Sequence, residues 1–199
     1  MAKKYNIGLL NGIVCSHTSM REASIGIKNN KITKIGKIHP TECSHIIDCK
    51  NKHILPGIID TQVHFREPGL SHKEDIYSGT NSALLGGVTT IFEMPNTSPA
   101  TINKKEIEKK IKIAQKSSWV NYSFFIGACK ENLNQLAKLE QLKGCAGIKI
   151  FMGSSTGNLL LSKEEDLEKA LKICKRRVAI HSEDEERLKK RFINIDKKK

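Results

Sequence analysis

The stretch Ile54-Leu55-Pro56-Gly57-Ile58-Ile59-Asp60-Thr61-Gln62-Val63-His64-Phe65-Arg66-Glu67-Pro68-Gly69 passes from an apolar lead into a row of polar side chains and then into a Pro-Gly turn. Read as a strand, its two-residue period puts Asp60, Gln62, His64 and Arg66 on one face, opposite Val63 and Phe65. The plan recurs downstream, with further strands ending near Met94, Ile126, Met152 and His181. Strand, loop and helix repeated about every thirty residues require crossover helices, and so a parallel sheet. Only five such units fit before Lys199, whereas a closed barrel of this type needs eight. The expected fold class is α/β: an incomplete TIM-type (β/α) barrel.

Upstream, the rhythm differs. Ile7 to Val14, Ser24 to Lys28, Lys31 to Ile35 and His45 to Cys49 read as short strands, the middle two joined by an Asn29-Asn30 turn that tolerates positive φ. Residues 1–55 therefore form an N-terminal β module and residues 56–199 the partial barrel. Helix starts are predicted at three capping boxes, Ser71 with Glu74, Ser162 with Glu165 and Ser182 with Glu185. Apolar stripes follow at Ile107, Ile111 and Ala114, at Leu133, Leu136 and Ala137, and at Leu167, Ala170, Leu171 and Cys174. The closing Asp196-Lys197-Lys198-Lys199 reads as a frayed tail.

Composition narrows the function. Of 199 residues 38% are apolar, with no run near the roughly 18 that a membrane span needs, so the chain is expected to be cytoplasmic, with no membrane partner. The six cysteines show no CxxC pair and read as reduced, mostly buried thiols. Thirty-four Lys and Arg against 21 Asp and Glu give +13, but the charge is diffuse and has no aromatic interleaving for base stacking. That pattern argues against a nucleic-acid partner. No GxGxxG, P-loop or GxSxG is present, so neither nucleotide binding nor serine catalysis has support.

The candidate residues stand at strand ends, where a parallel barrel gathers its chemistry. His64 closes the first strand; a histidine there is a hydrogen-bonded structural residue or a metal ligand. Asn96, after Glu93-Met94-Pro95, is a turn residue or a rim amide. In Gly147-Ile148-Lys149-Ile150-Phe151-Met152-Gly153, alternation turns Ile148 and Ile150 to the helices and Lys149 to the barrel interior. An ammonium there is costly to desolvate. It needs either a buried carboxylate partner or a lowered pKa that lets it react with CO2 to form a carbamate. His181, before a helix start with Glu183 and Asp184, is a ligand or a supporting residue.

These blocks, Pro56-Gly57-Ile58-Ile59-Asp60 to His64-Phe65-Arg66-Glu67-Pro68-Gly69, Glu93 to Thr97, Lys149 to Leu159 and His181-Ser182-Glu183-Asp184, resemble the bacterial-type dihydroorotases of the metal-dependent cyclic amidohydrolase superfamily. The resemblance spans essentially the whole chain. It implies His64 as a first-site zinc ligand, a carbamylated Lys149 as the bridging ligand and His181 as a second-site ligand, with one or two Zn2+. Arg66 and Asn96 would hold the substrate carboxylate. The implied reaction is the reversible interconversion of L-dihydroorotate and N-carbamoyl-L-aspartate in pyrimidine biosynthesis. The Phe-Arg-Glu-Pro-Gly and Met-Pro-Asn-Thr blocks favour this over a hydantoinase or allantoinase.

Two departures stand out. Gln62 occupies the position of a family histidine, and an amide oxygen is a poorer zinc ligand than imidazole. The family's later histidine and its Asp base come from strands beyond Lys199, so the catalytic base is not assigned and the isolated chain is expected to have little activity. The expected partners are the small-molecule substrate and a second copy or complementing chain. A non-catalytic amidohydrolase-like subunit is the alternative.

Overall fold

The computed structural model describes residues 3–153 and 158–196. Residues 154–157, part of the Lys149 to Leu159 block, and residues 197–199, part of the predicted frayed tail, lie outside the described residues. The chain divides into two compact units, Met1–Gly57 and Ile58–Lys199.

In the first unit, β1 (Tyr5–Cys15), β2 (Met20–Lys28), β3 (Lys31–Gly36), β4 (Cys43–Asp48) and the short β5 (His53–Ile54) form one sheet in the order β3-β2-β1-β4, with β5 also paired to β1. The β1–β2 and β2–β3 pairs are antiparallel, and β4 and β5 run parallel to β1. Asn29 and Asn30 both adopt left-handed φ, 51° and 60°, as a tight hairpin turn matching the strand twist requires. Tyr5, Leu10, Ile25, Cys43 and Cys49 are buried.

The second unit alternates β6 (Ile58–Val63), α1 (Ile76–Leu85), β7 (Val88–Glu93), α2 (Lys104–Ser117), β8 (Asn121–Gly127), α3 (Leu136–Leu139), β9 (Cys145–Phe151), α4 (Glu164–Ile173), β10 (Val178–His181) and α5 (Glu185–Asp196). Its sheet has the sequential order β10-β9-β8-β7-β6, and every neighbouring pair is parallel. This is the partial (β/α) barrel that the thirty-residue rhythm predicts, with β6 and β10 as its edges.

Alternation sorts the strand residues into two apolar clusters. Val63, Phe65, Ile91, Phe124, Ile126, Ile148 and Ile150 join Ile76, Ile107, Leu136, Leu161 and Ala170 in the large core. Phe92, Met94, Phe125, Ala146 and Ala179 make a smaller cluster. Each fully buried Ile or Phe contributes about 1.5–3 kcal/mol, so a one-residue slip of any strand would forfeit several such terms together.

All three predicted capping boxes need correction. The chain from Arg66 to Lys73 is held in turns, with Leu70 N–H donating to Arg66 O and Lys73 N–H to Leu70 O, so α1 starts only at Ile76, capped by Asp75 accepting from Ser78 N–H. Leu161 N–H donates to Phe151 O, which keeps the chain extended, and α4 starts at Glu164 with no side-chain cap. Glu164, Glu165 and Asp166 instead place negative charge in its first turn, where the helix dipole favours it. At α5, Asp184 accepts from Arg187 N–H in the role expected of Ser182. The stripe around Leu133 is a 3-10 turn followed by one α turn, which buries Leu139 in place of Ala137, and Leu171 is exposed.

No helix among the described residues is long and apolar enough to cross a membrane. All six cysteines are free. Gly147, two residues before Lys149, has φ +148°, and a Cβ there would lie 2.2 Å from Arg177 O of the segment leading into β10. Gly147→Ala must push β9 and β10 apart, and we expect a loss of about 2–4 kcal/mol in urea unfolding. A loss below about 0.5 kcal/mol would contradict this packing.

Candidate functional site

The rim is built from the turns that follow β6 and β7. With Val63 and Phe65 fixed in the helix-side core, His64 projects from the opposite face and is half-buried. Its Nδ1 lies 2.8 Å from Asn96 Oδ1. An amide oxygen only accepts, so Nδ1 donates and the Nε2 lone pair stays free.

Each residue of the Arg66-Glu67-Pro68-Gly69 turn has a structural task. Arg66 takes a left-handed φ of 67°, leaving the strand alternation that the sequence suggests for it. Its Nη1 donates to Asn96 O at 3.4 Å. Glu67 Oε2 accepts from Ile76 N–H at the start of α1, at 2.8 Å. Pro68 O accepts from Ser98 N–H at 3.0 Å. Gly69, at φ +91°, packs so closely on Ser98 that a Cβ would stand 1.9 Å from its carbonyl oxygen. The two turns are therefore joined backbone to backbone. Asn96 is buried, unlike a solvated turn residue. Its Oδ1 is engaged by His64, which leaves the Nδ2 hydrogens as donors.

Lys149 is buried on the β9 face opposite Ile148 and Ile150, with its ammonium 5.0 Å from the centre of the Phe151 ring. Among the described residues no carboxylate pairs with it, and burial alone holds its pKa below the ordinary lysine value. The buried salt bridge considered for it is not found there. In the β9–β10 register Ala179 faces Lys149 and His181 faces Phe151, so His181 lies on the same sheet face one step further toward the rim. Its ring centre is 6.1 Å from that of Phe151, and its Nε2 is 3.0 Å from Glu183 Oε2. His181 is also about 44% exposed, the least enclosed of the candidates.

His64, Arg66 and Asn96 are thus in direct contact, and Lys149 is near enough for its charge to act on His64. Burial is the main influence holding the His64 pKa below the ordinary imidazole value; the charges of Arg66, Lys149 and Lys110 reinforce it and the Asn96 bond opposes it. Among the described residues His181 meets this group through the Phe151 ring, which stands between it and Lys149. Gln62 and Asp60 are exposed on edge strand β6, and Asp60 Oδ1 accepts Gln62 N–H. Among the described residues no three His, Cys, Asp or Glu side chains are grouped to hold a metal ion.

One feature is absent from the sequence reading: a buried ion pair between Glu93, the last residue of β7, and Lys110 of α2. Lys110 Nζ also donates to Met94 O at 3.0 Å. Burial pushes the Glu93 carboxyl up to about 7, against the pull of Lys110, and pushes Lys110 down. A signal was present, because Lys110 falls inside the Ile107, Ile111 and Ala114 stripe and Glu93 follows Ile91 at strand period.

Comparison with known proteins adds a second line. Residues 51–172, more than half of the chain, match the family model described as Dihydro-orotase-like. The chain is 41% identical over 184 residues to a dihydroorotase of Methanosarcina mazei, covering 90% of this chain and 40% of that protein. It is 38% identical over 148 residues to an allantoinase of Desulfitobacterium hafniense, covering 74% and 33%. Among solved structures, an L-hydantoinase (dihydropyrimidinase) from Arthrobacter aurescens superposes with a TM-score of 0.84 at 27% identity, covering 91% of this chain and 41% of that one. The chain spans less than half the length of these relatives.

The environment of His64 has a measurable consequence. Its folded-state pKa is depressed, so it is neutral at pH 7. Below about pH 6.5 the unfolded chain takes up the proton first, and this contribution to stability is lost as pH falls through the folded pKa. An NMR titration of the ring should give a midpoint below that of a free imidazole, and Arg66→Gln should move it upward. A midpoint at or above the free value would contradict the geometry.

Proposed function

Since the chain belongs to the Dihydro-orotase-like family, we propose that it carries the first part of a zinc-dependent cyclic amide hydrolase site, acting on L-dihydroorotate and N-carbamoyl-L-aspartate in pyrimidine biosynthesis in the cytoplasm. In this reading residues 1–55 are the β module and 56–199 the catalytic partial barrel. The observation that carries the substrate choice is the Arg66 guanidinium, held against the Asn96 backbone beside the neutral His64 ring. A fixed guanidinium grips a carboxylate through parallel hydrogen bonds, and dihydroorotate bears a ring carboxylate that hydantoin lacks.

The donor set suits zinc in kind, since two imidazoles and a carboxylate-like carbamate are all zinc ligands. His64 would offer Nε2, with its tautomer set by Asn96 in the way that outer partners orient metal-bound histidines. Lys149, without a carboxylate partner among the described residues and with a lowered pKa, has the amine character that carbamate formation needs. His181 would serve a second zinc. When bound, zinc supplies a water acidified toward a pKa of about 7 and polarisation of the ring amide carbonyl. This chain's own residues bind and orient: Arg66 grips the carboxylate, Asn96 Nδ2 donates to it, and Asn96 Oδ1 holds the His64 proton on Nδ1. The proton shuttle to the leaving nitrogen is not assigned to any residue here.

The allantoinase similarity keeps a neutral cyclic amide as the second reading. Calorimetric titration of the zinc-supplemented chain separates the two. Dihydroorotate should bind at least about tenfold more tightly than hydantoin, a difference of about 1.4 kcal/mol, and Arg66→Ala should abolish that preference. Equal affinities in the unsubstituted chain would exclude the carboxylate reading. Because Gln62 stands where an imidazole is expected, Gln62→His should tighten zinc binding by about tenfold or more in competition with a chromogenic chelator. Unchanged affinity would remove this face of β6 from the metal site.

A further inference from the structure

The Glu93–Lys110 pair sits among apolar neighbours, Ile91, Ile107, Phe124 and Ala114, all buried. Replacing a buried ion pair with well-packed apolar side chains of similar volume is often neutral or stabilising, so stability alone is a poor account of why charges stand here. Their contacts suggest a different account. Lys110 Nζ reaches past Glu93 to Met94 O, two residues before Asn96. Burial raises the Glu93 pKa, and Lys110 followed by the nearby backbone N–H and charge of Arg66 favour the ionised form against it. That N–H belongs to a residue in the left-handed region, where a side chain with a Cβ is strained unless its surroundings hold it. On the far side of the same turn, Arg66 O accepts from Leu70 N–H at 3.0 Å. Lys110 therefore touches the β7 turn at a backbone oxygen that no apolar side chain could engage, and Glu93, in register with Val63, lies beside the start of the β6 turn on the helix side of the sheet.

We propose that Glu93 and Lys110 are positioning residues that hold the Arg66 and Asn96 turns in register, so that guanidinium and amide converge on one carboxylate. The carboxylate rests on the function proposed above; the holding of the Arg66 backbone does not. A guanidinium displaced by about 1 Å loses its parallel hydrogen bonds, so a side chain that never meets substrate governs affinity.

The test uses the 15N-labelled 199-residue chain, N-carbamoyl-L-aspartate as probe, and two double variants. Glu93→Leu with Lys110→Met makes the pair apolar. Glu93→Gln with Lys110→Met removes the charges but keeps an oxygen facing Arg66 N–H. The apolar variant should melt within a few degrees of the unsubstituted chain. Its Arg66 amide should exchange with solvent at least about tenfold faster, and it should bind the probe at least about tenfold more weakly. The glutamine variant should recover Arg66 protection and bring affinity to within about threefold of the original. Original exchange and affinity in the apolar variant, or a glutamine variant no better than the apolar one, would overturn the proposal. If the apolar variant does not fold, Glu93→Asp takes its place. It keeps the charges but shortens the reach, and original values there would equally overturn it. If the unsubstituted chain does not bind the probe, the carboxylate site fails while the Arg66 exchange rates still decide whether the pair holds that backbone.

Discussion

Burial of Ile148 and Ile150 against the helices leaves Lys149 no choice of face, and the same constraint acts on β6, β7 and β8. Side chains alternate with a period of two, and the helix-side core takes one set: Val63 and Phe65, Ile91, Phe124 and Ile126, Ile148 and Ile150. The intervening residues are then delivered to the other face whatever their polarity. His64 and Lys149 are polar groups placed by the hydrophobicity of their neighbours. Moving either would require several apolar side chains to leave the core together.

Polar placement at strand ends follows a second rule, because alternation stops where the strand stops. There the backbone makes its own arrangements: the left-handed Arg66, the Ser98 N–H to Pro68 O bond, and the close contact of Gly69 with Ser98. These join the turns after β6 and β7 into one rim, with Glu93 and Lys110 beneath it. The cationic groups near His64 and its own burial act in the same direction on its protonation, and both favour the neutral ring.

The sequence made the strand rhythm, the Asn29-Asn30 turn and the opposite facing of Lys149 and its isoleucines legible, since each depends on local periodicity or a single backbone preference. Helix starts were less legible. A Ser followed three residues later by Glu caps only a chain free to turn there, and other hydrogen bonds, local from Arg66 to Lys73 and longer in range from Leu161 to Phe151, held those segments in turns or extended. Spacing alone left Asn96 open between a turn residue and a rim amide for a related reason: its partner His64 lies 32 residues away and meets it only after the sheet forms. The Glu93–Lys110 pair needed two periodicities read together, a lysine inside a helical stripe and a glutamate in step with a buried isoleucine. Neither is informative alone. The roles of His64, Arg66, Lys149 and His181 came from family resemblance and not from spacing.

The unpaired thiols have a use independent of chemistry at the rim. Cys43 and Cys49 are buried in the first unit and Cys129 and Cys145 in the second. A thiol reacts as its thiolate and only where a reagent can reach it; burial withholds access at all four and also raises the pKa of the latter two. Alkylation at these positions thus waits on local opening. The molecule carries its own chemical clocks, one pair in each unit, which would time the breathing of the β module and of the partial barrel separately.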